Sequence, residues 1–254
     1  MPTGIPTQKN IWNIASVNIQ AGLSTHSYRD YITKSWNHVT PLTAKKYRSL
    51  SAICDQIKKF DFVGVQEVDP GSVRSGFQNQ AMWLAERGVF DYWTCQKNRR
   101  TGFSTTANAL YSHHHMGEVE HWVLPSRKSS NGARGAVKAL ITNPHTQEKV
   151  CCVVAHLSLN AQDRLAQSSY LAERLQDEKH LIVVGDFNDV PHNYSLSPLQ
   201  KTMDGHTNIP TFPRWNPQKA IDLIWWKGIT PLSSSAHAWG ATDHCGVELA
   251  FSLP

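Results

Sequence analysis

No apolar run in these 254 residues approaches the ~18 that a membrane-spanning helix needs, so no transmembrane segment is expected. The first ten residues lack the apolar stretch of a secretory signal, which predicts a cytoplasmic protein; a secreted chain that had lost its leader would read the same way. Cysteine is scarce: Cys54, Cys95, Cys151, Cys152 and Cys245 are odd in number and include no C-x-x-C pair. That argues against a disulfide framework and a zinc site, and it points to buried free thiols in a reducing compartment. Cys151 and Cys152 are adjacent in an apolar segment and should face opposite sides of a strand. Charged residues make up only 18%. The formal net charge of +5 suits an anionic substrate, but a solvated basic surface gives the same sum. Neither a sequence repeat nor a long linker is present. The reading is one domain over residues 11–254 behind a flexible N-terminus at 1–10, and a monomer.

What is present is a set of short apolar runs that end in polar residues. The most informative is HLIVVGDFNDVP at 180–191. Residues 181–184 are apolar and rich in β-branched side chains, as in a strand buried on both faces. Gly185 breaks the run, and Asp186, Asn188 and Asp189 follow at once. A rigid strand that delivers carboxylates and an amide at its C-terminal end is a common way to build a site. On an extended chain Asp186 and Asn188 would point the same way. An ordinary polar turn after a strand is the plain alternative.

The same arrangement recurs along the chain. Residues 11–19 end on Asn18, 61–68 on Gln66 and Glu67, and 150–155 lead to His156. Asp222 lies inside the apolar run 220–226, and Asp243-His244 precedes a final strand at 247–253. Further strands are predicted at 92–96, 107–112, 118–124 and 136–142. Helices are predicted from Thr40-Pro41 through Ile57, from an Asn79 cap to Arg87 with Gly88 as stop, after Asn160, and over 195–203. The segment 22–39, the basic turn 97–102, the loop 125–135 and the Ser-rich stretch before Asp243 read as loops. Many strands among few helices predict an α/β protein with two sheets packed face to face and helices outside.

Several carboxylates buried at strand ends are costly unless they are paired or hold a cation. Glu67, Asp243 and the amide oxygens of Asn18 or Asn188 are hard donors, better suited to Mg²⁺ or Mn²⁺ than to zinc. His156 and His244 can carry protons near neutral pH.

This pattern resembles the endonuclease/exonuclease/phosphatase superfamily, the fold shared by deoxyribonuclease I and sphingomyelinases. The matching segments are SVNIQ at 16–20, VGVQEV at 63–68, TANALYS at 106–112, RGAVKALI at 134–141, VVAHLSL at 153–159, LIVVGDFND at 181–189, AIDLIWW at 220–226 and TDHCGV at 242–247. They stand in the family's order over nearly the whole chain. The resemblance implies a four-layer α/β-sandwich, two packed mixed β-sheets flanked by helices. It also implies a metal-dependent phosphodiester hydrolase, with a nuclease acting on DNA or RNA as the leading reading. Glu67 would be the main metal ligand, with Asn18 beside it and Asp243 nearby, and the ion would be Mg²⁺ or alternatively Mn²⁺. His244 would be the general base or a phosphate contact, oriented by Asp222. Asp186 would align or activate the attacking water, and Asn188 would hold a phosphoryl oxygen. His156 would contact the phosphate or act as the acid, and Arg134 and Asn108 would bind phosphate or substrate.

The chain also departs from the family. Many relatives have Ser-Arg where Ser112 is followed by His113-His114-His115, and the usual Ser-Asp-His is Thr242-Asp243-His244. The insertions that read DNA in repair endonucleases are not evident, so a phospholipid or a small phosphorylated metabolite remains an alternative substrate. A catalytically inactive binding protein on the same fold is a third reading, opposed by intact Glu67, Asp186, Asn188, Asp243 and His244. The three histidines at 113–115 read better as a turn than as a metal site. Lys97, Arg99, Arg100, Arg127 and Lys128 could track a nucleic-acid backbone or form a solvated face, and Trp215, Trp225, Trp226 and Trp239 could stack bases or fill the core.

Overall fold

A computed structural model describes residues 10–23, 44–100, 102–127 and 134–254. The expected helix start at Thr40-Pro41, most of the loop over 22–39, the N-terminal segment 1–9 and Lys128 lie outside the described residues. So does the side chain of Arg99.

The first half of the chain supplies β1 (Ile11–Asn18), α1 (Ala44–Ile57), β2 (Phe62–Val68), α2 (Gln80–Gly88), β3 (Tyr92–Arg100), β4 (Thr105–Ser112) and β5 (His115–Val123). The second supplies β6 (Gly135–Thr142), β7 (Lys149–His156), α3 (Ala161–Leu175), β8 (Leu181–Asp186), α4 (Ser197–Thr202), β9 (Gly205–His206), β10 (Asp222–Lys227), β11 (Thr230–His237) and β12 (Gly246–Ser252). They form two six-stranded sheets, ordered β11-β12-β1-β2-β4-β3 and β5-β6-β7-β8-β10-β9. Each sheet has one parallel pair at its centre, β1 with β2 and β7 with β8, and antiparallel pairs on both sides. The two sheets therefore repeat one pattern of strand directions that the sequence does not display as a repeat.

Alternation along the strands assigns side chains to layers. Ile14, Phe62, Leu110, Ile182, Val184 and Ile224 belong to the core between the sheets. Ala15, Val17, Val63 and Val65 point outward onto Leu50, Ile53 and Ile57 of α1 and Leu84 of α2. Val153, Leu181 and Val183 do the same against Leu171 and Leu175 of α3 and Leu199 of α4. The result is four layers: helices, sheet, sheet, helices. Cys151 joins the outer core and Cys152 the core between the sheets, so the adjacent thiols do face opposite sides. All five cysteines are free. No helix among the described residues is long and apolar enough to cross a membrane.

Four local expectations are corrected. Gly88 is the last residue of α2, close-packed against the Phe90 ring, and the left-handed cap falls on Val89 at φ 56° instead of on the glycine. β3 runs through the expected basic turn to Arg100, with a bulge between Lys97 and Arg100. His115 opens β5 instead of closing a turn. The Ser-rich stretch is the edge strand β11, whose polar, largely exposed side chains gave no apolar signal.

Candidate active site

In a parallel pair both strands end at the same edge. Asn18 ends β1, Glu67 lies one residue from the end of β2, and His156 and Asp186 end β7 and β8 side by side, paired in register. The antiparallel neighbours start at that edge. Asp222 opens β10 directly opposite Asp186, and His244 stands two residues before β12. Topology alone thus gathers six of the residues singled out in the sequence on one rim.

Asp186 is the centre of this arrangement. Its Oδ1 accepts the Asn188 N–H at 2.9 Å, and its Oδ2 accepts from Asn18 Nδ2 at 3.0 Å, a bond that crosses from one sheet to the other. The same Oδ2 lies 3.4 Å from His156 Nε2 and 3.9 Å from His244 Nε2. Gly185 makes the placement possible. At φ +153° its backbone packs so closely on β7 that a Cβ would lie 1.8 Å from the Ala155 carbonyl oxygen. Beyond Asp186 the chain is not extended: Asn188 is left-handed at φ 53°, and its amide turns back to within 3.1 Å of His156 Nε2 and donates to the Leu157 carbonyl at 2.9 Å.

His244 Nδ1 donates to Asp222, 3.0 and 2.8 Å from the two carboxylate oxygens. Asp222 is fully buried and also accepts from the Thr211 hydroxyl at 2.6 Å. The Phe212 ring covers the imidazole, centroids 5.0 Å apart. Burial alone would lower the His244 pKa, but the Asp222 carboxylate, with Asp186 and Asp243, outweighs it and holds the pKa well above the usual histidine value. His156 goes the opposite way: burial first, then the charges of Arg134 and His244, keep it well below. The Asp186 carboxyl is pushed up to about 6, chiefly by burial. Two neighbouring imidazoles are therefore driven to opposite protonation states, a common device at acid–base sites.

Glu67 stands apart from this group. It sits at a bulge between Val65 and Val68 with φ 59°, and its carboxylate has no hydrogen bond or ion pair among the described residues. Bulges beside active sites re-aim side chains in this way, and backbone strain of this kind gathers there. Asp243 is buried, accepts from Gln20 Nε2 at 3.3 Å, and its Oδ1 lies 3.8 Å from His244 Nε2. Arg134 is half-buried just ahead of β6. Asn108 is fully buried and donates from Nδ2 to the Gly135 carbonyl at 2.7 Å, so it ties the two sheets together rather than opening to solvent.

Thr211 and Phe212 of this network carried no sequence signal, and for Gln20, which closes the SVNIQ segment, the sequence names no partner. Gln20 reaches Asp243 only because the chain turns left-handed at Gln20 and Ala21. Thr211 and Phe212 come from a loop whose approach to Asp222 and His244 is purely tertiary. Among the described residues, Asp186, Asp222 and His244 present ligand atoms within 4.8 Å of one another, so this buried cluster could hold a metal ion.

The Endonuclease/Exonuclease/phosphatase family model matches residues 12–244. No curated protein matches. Among solved structures, an endonuclease/exonuclease/phosphatase from Beutenbergia cavernae DSM 12333 is 17% identical with TM-score 0.74, covering 96% of this chain and 72% of that one. The human Nocturnin catalytic domain with bound sulfate is 16% identical with TM-score 0.72, over 98% of this chain and 96% of that one. The mannosyl-6-phosphatase Bt3783 of Bacteroides thetaiotaomicron VPI-5482 is 14% identical with TM-score 0.63, over 95% and 100%. Such identities carry the fold alone, and the family match over nearly the whole chain carries the membership. With the strand ends, the cross-sheet Asn18–Asp186 bond and the Asp222–His244 pair, it follows that the chain belongs to the endonuclease/exonuclease/phosphatase family.

Proposed function

We propose that this protein is a metal-dependent phosphodiesterase that cleaves nucleic acid by in-line attack of a water. The observation that carries this reading is the single oxygen Asp186 Oδ2, which faces Asn18 Nδ2, His156 Nε2 and His244 Nε2 at 3.0, 3.4 and 3.9 Å. A carboxylate among such groups can orient a water and accept its proton. The surrounding N–H donors can bind the phosphoryl oxygens.

Each residue has a role in this scheme. Asp186 aligns the water. His244, held by Asp222, places its Nε2 toward the phosphoryl group. Asn188 and Arg134 bind phosphoryl oxygens, and His156 contacts the phosphate or handles the leaving oxygen's proton. Glu67, Asn18 and Asp243 would hold Mg²⁺, with Mn²⁺ as the alternative. The donor set fits, because all three offer hard oxygens and the Glu67 carboxylate has no partner among the described residues. The Asp186–Asp222–His244 cluster fits less well, since His244 Nδ1 and Asp222 are already bonded to each other. When bound, the cation would neutralise charge developing on the phosphoryl oxygens.

The test is turnover of bis-p-nitrophenyl phosphate, plasmid DNA, RNA and sphingomyelin, with EDTA and with Mg²⁺ or Mn²⁺ restored. Cation-dependent cleavage of bis-p-nitrophenyl phosphate and a nucleic acid is the expected result. Cleavage of sphingomyelin alone would reassign the substrate, and EDTA-insensitive turnover would remove the cation from the reaction.

A further inference from the structure

A cavity of about 330 Å³ lies beside the site, walled by Gly71 and Phe77 from the loop after β2 and by Lys97, Asn98, Arg100 and Phe103 from the β3–β4 hairpin. It shares a rim with the catalytic strand ends. The loop wall leaves β2 directly after Glu67 and Val68. Asn98 packs on Gly135, the neighbour of Arg134, so closely that a Cβ there would lie 2.4 Å from Asn98 Oδ1. That oxygen is buried and has no hydrogen-bond partner among the described residues.

The loop wall is tied in place by one carboxylate. The Asp69 carboxylate accepts from Gly71 N at 3.1 Å, Ser72 N at 2.8 Å and the Ser72 hydroxyl at 2.6 Å. It also accepts from Arg74 Nε at 3.0 Å, and Arg74 Nη2 donates to the Thr105 carbonyl at 3.1 Å, fastening the loop to β4. Lys97 and Arg100 are three apart and would point to opposite faces of a regular strand. The bulge between them brings both to the cavity. Phe77 and Phe103 are 75% and 61% exposed, a large apolar surface left open at the mouth of a cationic recess.

Exposed aromatic rings beside paired cations suit a planar base carrying a phosphate. The volume lies at the small end of the ~300–1,000 Å³ usual for ligand sites, room for one nucleotide and not for a duplex. A choline headgroup would be repelled by Lys97 and Arg100. We propose that this cavity is the subsite for the nucleotide adjoining the scissile phosphate of a single-stranded nucleic acid. Its base stacks on Phe77 and Phe103, and its phosphate is held by Lys97 and Arg100. The proposal rests on the nucleic-acid reading above and deepens it.

The test uses the Glu67→Gln protein, so that binding is read without cleavage, and a fluorescein-labelled single-stranded oligonucleotide followed by anisotropy. In that background, Phe77→Ala with Phe103→Ala should weaken binding at least tenfold, and Phe77→Tyr with Phe103→Tyr should restore it. Lys97→Glu with Arg100→Glu should weaken binding and flatten its salt dependence. Thermal unfolding of each variant verifies the fold. Affinity within twofold of the parent for both the Ala and the Glu pairs would overturn the subsite, as would cavity variants that lose binding to sphingomyelin vesicles while retaining the oligonucleotide. Wild-type turnover of bis-p-nitrophenyl phosphate is measured separately. Its absence would defeat the hydrolase reading, and the binding arm would still decide the cavity.

Discussion

Asp222 and His244 are joined through one imidazole nitrogen, Nδ1, and the other, Nε2, faces Asp186 and Asp243 at 3.9 and 3.8 Å. The carboxylate fixes both the ring's orientation and its charge, so the two side chains should act as a unit. His244→Ala and Asp222→Asn are each expected to lower kcat by about 100-fold or more, and the double variant little further than the histidine change alone. A full double-mutant cycle on bis-p-nitrophenyl phosphate measures this, and strictly multiplicative losses would show that the pair is not a unit.

Glu67 should be expendable for folding and essential for turnover. Its carboxylate has no partner among the described residues, and its backbone is strained at φ 59°. Glu67→Ala should abolish cation-stimulated activity while leaving Tm within about 2 °C of wild type, because no hydrogen bond is lost. Activity within a few fold of wild type at saturating Mg²⁺ would move the cation elsewhere.

Asp189 anchors the turn that carries Asn188. Its Oδ2 accepts from Arg164 Nη2 at 2.6 Å and from the Ser195 hydroxyl at 2.6 Å. Burial works against its charge, but Ser195 and Arg164 outweigh it and hold its pKa below the usual carboxylate value. A depressed folded-state pKa means that the ionised group stabilises the protein above the unfolded value of ~3.9, and that this is lost as pH falls through the lower folded value. Asp189→Asn should therefore unfold at lower temperature than wild type at pH 7, with the gap closing below about pH 4. A gap that does not vary with pH would assign the effect to shape and not to charge.

Gly185 is the least replaceable residue of the site. A methyl group there would meet the Ala155 carbonyl oxygen at 1.8 Å, and it would have to be borne at φ +153°. Gly185→Ala should cost more than about 3 kcal/mol, read by urea unfolding, or prevent accumulation of folded protein. A loss below about 1 kcal/mol would mean that β7 and β8 separate easily.

Polar residues at the ends of apolar runs were sufficient to single out Asn18, Glu67, His156, Asp186, Asp222 and His244, which the fold brings to one rim, because a strand's end is visible in one dimension. The resemblance of segments in order supplied the four layers. What stayed hidden depended on contacts between distant parts of the chain. Thr211 reaches Asp222 from a loop without periodicity, and β11 is an exposed edge strand whose serines do not alternate with apolar residues. The bulge at Glu67 was invisible for a related reason: nothing in VGVQEV marks the residue that leaves the ladder.

The register of the first sheet sets an order of events during synthesis. β1 pairs with β12, Ile11 opposite Ser252, so one of the earliest strands cannot complete its hydrogen bonds until one of the latest has left the ribosome. Asn18 and His244 are separated in the same way. A nascent chain halted before β12 would hold the second sheet's pairings but no assembled rim. The rim should then assemble in a single step once β12 has emerged, rather than accumulate with chain length.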